Sequence, residues 1–225
     1  MNILVTGCSK GIGKSIVKEL LKNSCVSKVY ITSTKLSNLK FDYSNVISIE
    51  LDYLKDNWKS ELIQEISNEP IHVLINNSGY LYNGSVQDTS LEEIEKMVTI
   101  NYIGPFKLVQ VLLENLKKGR AHIINIGSMG GFQGSSKFPG LSVYSSTKAA
   151  LANLSECWAE EFKDFGIKSN CLALGAVDTE MLKNAFPDYS AGISSDEVAK
   201  GIVNFALNYK GVINGKVIPF SESTP

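Results

Sequence analysis

The 225-residue chain is nearly without arginine: Arg120 is the only one among 22 basic residues, which face 23 acidic ones for a formal net charge of −1. That balance leaves no basic footprint for nucleic acid or for an anionic membrane surface, and neither is expected as a partner. No apolar run approaches the ~18 residues that a membrane span needs. Histidine is almost as scarce, with His72 and His122 each opening a strand-like apolar run. Cys8, Cys25, Cys157 and Cys171 form no C-x-x-C pair and have no histidine at metal-ligand spacing. They read as buried or incidental thiols, and metal catalysis is not expected. Met1 leads directly into Ile3-Leu4-Val5 with no basic segment or small-residue cleavage pattern, so a cytoplasmic protein is expected. What is present, 44% hydrophobic and 20% charged residues, is the profile of an ordinary globular protein, read as one domain over 1–225.

Short Val/Ile/Leu-rich runs at 2–6, 28–32, 46–51, 71–76, 121–127, 167–173 and 215–220 alternate with helix-length amphipathic segments. Continuous apolar runs, unlike alternating ones, mark strands buried on both faces, as in a parallel sheet. Ile12, Ile16, Val17, Leu20 and Leu21 share one stripe of a helix predicted from about Ile12 to Lys22. Ser90 with Glu93, and Ser194 with Glu197, have capping-box spacing. The first is expected to open a helix that runs towards Lys118, before Gly119. A further helix covers about Val143 to Phe165 and stops at Gly166. The stretch 33–45, where a crossover helix belongs, is too short for a full one. The alternation predicts an α/β protein with a doubly wound parallel sheet, a Rossmann fold of about seven strands with helices on both faces.

The first strand runs into Thr6-Gly7-Cys8-Ser9-Lys10-Gly11-Ile12-Gly13 and then the first helix. Glycines permit positive φ and a close backbone approach to a pyrophosphate, which the helix N-terminus attracts. A fingerprint selective for NAD needs an acidic residue after the second strand, to hold the ribose hydroxyls. Here that strand ends in Thr32-Ser33-Thr34-Lys35. Lys10 and Lys35 are placed to meet a 2′-phosphate, with the hydroxyls of Ser9, Ser33 and Thr34 as further donors. NADP(H) is therefore favoured, with NAD(H) the alternative.

Tyr144 and Lys148 lie one helical turn apart on one face. An unperturbed tyrosine, with a pKa of ~10, is a poor proton carrier at neutral pH. A nearby ammonium favours its phenolate.

With the Thr6-to-Gly13 turn, Asn76-Asn77-Ser78-Gly79, Asn101, Ile126-Gly127-Ser128 and Tyr144 with Lys148 in this order, the sequence resembles the short-chain dehydrogenase/reductase family from Met1 to about Val217. The resemblance implies that Tyr144 is the general acid or base, that Lys148 lowers its pKa and binds the nicotinamide ribose, and that Ser128 holds the substrate oxygen. It further implies that Asn101 holds a water in a proton relay from Lys148. Asn76, Ser78 and Gly79 would line the cofactor, and Asp52 would meet the adenine. Gly7, Gly11, Ile12 and Gly13 would form the pyrophosphate turn, while Gly175, Val177 and Thr179 would clasp the carboxamide. The activity implied is hydride transfer between nicotinamide and a carbonyl or secondary alcohol, in a homo-oligomer joined through helices at about 90–118 and 143–165. A non-catalytic, redox-sensing dinucleotide binder of the same fold is the competing reading. Epimerase or dehydratase chemistry on nucleotide sugars belongs to longer relatives with a separate substrate domain.

The sequence departs from the family pattern at Ser78, where alanine is usual, and at Leu174, where proline is usual. The 129–143 stretch is longer than usual and glycine-rich, and about a dozen residues separate Met181 from Ser194, a short lid. An open site is expected, with substrate contacts mainly from 129–143 and an apolar wall of Phe132, Phe138, Leu141 and Tyr80. The ending 221–225 lacks the family's usual acidic-glycine pattern.

Overall fold

The computed structural model describes residues 1–222, so 223–225 of the unusual ending lie outside the described residues. Among the described residues, seven parallel strands form one sheet. They are β1 (Asn2–Val5), β2 (Lys28–Ser33), β3 (Val46–Glu50), β4 (Val73–Asn76), β5 (His122–Ser128), β6 (Lys168–Leu174) and β7 (Val217–Phe220). Their order, β3-β2-β1-β4-β5-β6-β7, places the reversal of winding between β1 and β4. Helices are α1 (Gly11–Leu20), α2 (Trp58–Ile66), α3 (Leu91–Val98), α4 (Gly104–Val111), α5 (Leu113–Gly119), α6 (Ser142–Glu161), α7 (Glu180–Ala185) and α8 (Ser195–Asn208).

Successive strand residues point to opposite faces, and both faces are covered. Ile3, Val5, Val73, Ile75, Ile124 and Ile126 pack beneath α1 and α8. Leu4, Tyr30, Leu74 and Ile123 pack beneath α2, α4, α5 and α6. This is why the strands read as unbroken apolar runs. The short 33–45 stretch forms a single 3₁₀ turn, Leu36–Asn38, and Leu39 and Phe41 cover the sheet where a helix would lie. The sequence pattern did not single out α2 or α7.

The expected helix from Ser90 to Lys118 is broken. Thr99–Ile103 form a π turn, in which the Gly104 N–H reaches back to the Thr99 carbonyl. Pro105 follows and has no N–H, so an α-helical bond to the Asn101 carbonyl cannot form. The Tyr53 ring occupies the space beside Gly104, where a Cβ would come within 2.5 Å of it. Of the two capping boxes, the one at Ser194 and Glu197 closes in both directions. Ser90 accepts from the Glu93 N–H, but the Glu93 carboxylate does not return a bond to the Ser90 N–H, and its Oε2 is buried without a partner.

His122 is fully buried and structural. Its Nδ1 lies 3.0 Å from the Ala206 carbonyl and its Nε2 3.0 Å from the Asn170 amide nitrogen. A carbonyl can only accept and an amide N–H only donate, so the ring is the neutral Nδ1–H tautomer. Burial pushes its pKa down to about 4. Below the unfolded value of ~6.5 the unfolded chain binds the extra proton and the folded one does not, so stability falls as pH drops from ~6.5 towards 4. We expect urea midpoints to decline over that window. His122→Gln should be less stable at pH 7 by about 1–3 kcal/mol, with a shallower acid decline.

Candidate active site

The reversal of strand order opens a crevice at the C-terminal ends of β1 and β4, where ligands of such sheets bind. A cleft of about 760 Å³ occupies it. The glycine turn forms one wall and is held from both sides. On the β2 side, the Cys8 N–H donates to the Thr32 carbonyl at 2.8 Å. On the β4 side, Asn77 Nδ2 donates to the carbonyls of Thr6 (2.9 Å) and Gly7 (3.1 Å). The Thr6 hydroxyl in turn accepts from the N–H groups of Asn77 and Ser78. Gly7 has φ +70°, and a Cβ on Gly13 would lie 2.2 Å from the Gly7 carbonyl oxygen. No side chain caps α1. Its first amides are thus unmatched donors at the positive end of a helix, which fits the pyrophosphate of a dinucleotide.

The far wall carries Ser128 at the end of β5, with Tyr144 and Lys148 on α6, all bordering the cleft. Ser128 Oγ accepts from the Gly130 N–H at 3.1 Å, and the Ser128 hydroxyl is close enough to Tyr144 to favour its phenolate. Lys148 is buried, and its Nζ donates to the Ile126 carbonyl at 2.8 Å. It lies 5.9 Å from the centroid of the Tyr144 ring. Burial dominates both groups: it pushes Tyr144 up to about 12, against the opposing influence of the Ser128 hydroxyl, and Lys148 down to about 8. The expected lowering of Tyr144 by Lys148 is therefore not seen in the protein alone, because desolvation disfavours the phenolate and the ammonium alike.

Most of the predicted residues border this cleft: Gly7, Ser9, Lys10, Gly11, Ile12 and Gly13 at the turn, Ser33, Thr34 and Asp52 at one end, Ser78 and Gly79 beside β4, and Gly175, Val177 and Thr179 after β6. Four do not. Asn76 is turned inwards, donating to Asn125 Oδ1 at 2.7 Å, and Asn77 stands in the wall instead. One position along a strand reverses the face, which accounts for the difference. Lys35 is exposed beyond the cleft rim. Asn101 lies behind Gly79 and Tyr80. Its side chain accepts from the Tyr80 N–H (2.8 Å) and donates to the Tyr80 carbonyl (2.9 Å) and Thr147 Oγ1 (3.0 Å), so it positions the loop and α6. Phe132 does not border the cleft, whereas Tyr80, Phe138 and Leu141 do.

The sequence also missed part of the site. Leu182, Phe186, Tyr189 and Ile193 border the cleft, so the short lid contributes walls that were expected mainly from 129–143. A helix of six residues has too little periodicity to announce itself. Glu180, at its start, pairs with Lys10 across the cleft at 2.9 Å. No helix among the described residues is long and apolar enough to cross a membrane.

The sequence pattern of the family described as short chain dehydrogenase matches residues 1–190. The short-chain dehydrogenase RED1 of Pyricularia oryzae is 31% identical over 82% of this chain, which spans 66% of that relative's length. The ketoacyl reductase HetN of a Nostoc species is 31% identical over 98% of this chain and 80% of its own. Among solved structures, ElxO with NADP bound superposes with a TM-score of 0.84 at 30% identity, covering 98% of this chain and 96% of that one. Motif order, strand order and family match agree over most of the molecule, and the chain belongs to the short chain dehydrogenase family.

Proposed function

We propose that this protein is an NADP(H)-dependent oxidoreductase that interconverts a carbonyl and a secondary alcohol. The observation that carries this reading is the meeting, in one cleft, of the uncapped glycine turn with Ser128, Tyr144 and Lys148. The dinucleotide would lie along the turn, held by the α1 amides, Ser78 and Gly79, Lys148 and the 175–179 segment, with Asp52 at the adenine end. When bound, it supplies or accepts a hydride at the substrate carbon. Ser128 orients the substrate oxygen and steadies charge that develops on it. Tyr144, protonated well past neutral pH, donates its hydroxyl proton to that oxygen as the C=O π bond becomes C–H and O–H. The phenolate left behind is stabilised by the Lys148 ammonium and reprotonated through a water that we place at the Asn101 backbone carbonyl, which Pro105 deprives of its helical donor.

NADP(H) is preferred in this reading because no carboxylate follows β2, where Ser33 and Thr34 border the cleft, and because Lys10 of the glycine turn borders the same cleft and can leave its exposed pair with Glu180 for a phosphate. The NADP bound to the 30% identical ElxO points the same way. The balanced charge and four free thiols suit a reducing cytoplasm. A shallow apolar depression between Val98, Tyr102, Val143 and Ala150, on α3, the π turn and α6, is where we place the contact between copies in a homo-oligomer.

Tyr144→Phe should lower kcat by about 10²–10⁴-fold and leave the cofactor Kd, read by nicotinamide fluorescence, within about 3-fold. Retained turnover would overturn the proton role, and a protein that binds cofactor but turns over no carbonyl would favour the redox-sensing alternative. Because Lys148 is charged below about 8 and neutral above it, the rate of carbonyl reduction should fall as pH rises through about 8. Lys148→Met should remove that limb together with most of the rate. Lys10→Glu should weaken NADPH by about 10-fold and leave NADH within about 2-fold. Glu180→Gln, which releases Lys10 from its partner, should tighten NADPH.

A further inference from the structure

The two ends of the cleft differ in charge. Its charged lining residues are Lys10 and Glu180 at the glycine turn, Asp52 after β3, Lys148 beneath the reaction centre and Glu222 after β7. With Ser128 and Tyr144, the cleft is bordered by three apolar pairs from different segments: Tyr80 and Leu81 after β4, Phe138 and Leu141 ahead of α6, and Met181 and Phe186 at α7. Among the described residues, the one charged side chain of these three segments that borders the cleft is the anionic Glu180 at the start of α7, paired with Lys10. The neighbouring lysines are engaged elsewhere. Lys96 Nζ lies 4.1 Å from the Tyr80 ring centroid, Lys137 Nζ donates to the Phe132 carbonyl at 2.6 Å, and Lys183 pairs with Asp178 at 2.8 Å. The three segments are tied to one another: Asn83 Nδ2 donates to the Ala185 carbonyl at 2.8 Å, and the Gly84 N–H to the Gly140 carbonyl at 3.0 Å.

From this we infer the substrate class, an inference that rests on the oxidoreductase reading above. The substrate end takes a neutral ketone or secondary alcohol with an aromatic or branched apolar body, and it rejects one whose body carries a carboxylate or phosphate. An anion held against these walls would lose part of its water, find no cation on them and face Glu180 at the start of α7, whereas an apolar body replaces water along three apolar walls. Phe138 and Phe186, on different segments, set this selectivity.

The test uses the cofactor-loaded enzyme and a matched pair of probes, 4-phenyl-2-butanone and 4-(3-oxobutyl)benzoate, which differ by one carboxylate. The neutral ketone should have a kcat/KM at least about 100-fold higher. Phe186→Lys, or Phe138→Lys at a half-exposed position should the first variant fold poorly, should narrow the ratio by at least about 10-fold by raising turnover of the benzoate. Equal or better turnover of the benzoate by the unaltered protein would overturn the substrate class and leave the oxidoreductase reading in place. If neither probe is reduced, hydride transfer to such ketones fails as a reading, and thermal shifts decide the rest. A rise in Tm with the neutral ketone alone would uphold the selectivity of the pocket, and no shift with either would overturn it.

Discussion

The clasp between Thr6 and Asn77 holds together the part of the molecule on which the site depends. A turn that presents amides to an anion cannot use those amides to fix its own shape. Its conformation must be imposed through other atoms, and here it is imposed through the Cys8 N–H on the β2 side and through carbonyls and one hydroxyl on the β4 side. Asn77 holds the carbonyls of Thr6 and Gly7, and the Thr6 hydroxyl takes the N–H groups of Asn77 and Ser78. Each bond contributes about 0.5–1.5 kcal/mol, but together they lock the ends of β1 and β4 at the point where the winding reverses. The first amides of α1 remain available because other atoms do the anchoring.

A second constraint lies across the cleft, where burial sets the protonation of the reacting pair. The same apolar surroundings raise Tyr144 and lower Lys148, leaving a neutral phenol beside an ammonium that titrates near 8. The ammonium is tolerated because the Ile126 carbonyl meets it at 2.8 Å. The helix carrying Lys148 is in turn tied through Thr147 to Asn101, which the π turn presents to it. A helix imperfection, forced by Pro105, thereby supports the loop at Tyr80 and the helix of the proton donor.

Much of this was legible in the residues. Strands buried on both faces need unbroken apolar runs, and all seven runs became strands in the described residues. The spacing of Tyr144 and Lys148 puts them on one face of α6, where they are found. Legibility failed where one position or one neighbour decided the matter. Asn76 and Asn77 are adjacent and chemically identical, yet only Asn77 faces the cleft, because the strand end reverses direction between them. Phe132 lies close in sequence to Phe138 and does not border the cleft, because glycine-rich loops have no periodicity from which to read a face.

By itself, the sequence determined the layered α/β architecture, the glycine turn and the types of group that the chemistry needs, since these follow from local periodicity and from backbone freedom at particular residues. Tertiary structure alone decided the break at Asn101, the pairing of Lys10 with Glu180, the contribution of α7 to the walls and the protonation of Tyr144 and Lys148. Each of these depends on which distant segments meet and how much water they exclude, and desolvation is a property of the packed surroundings that no single stretch of chain carries.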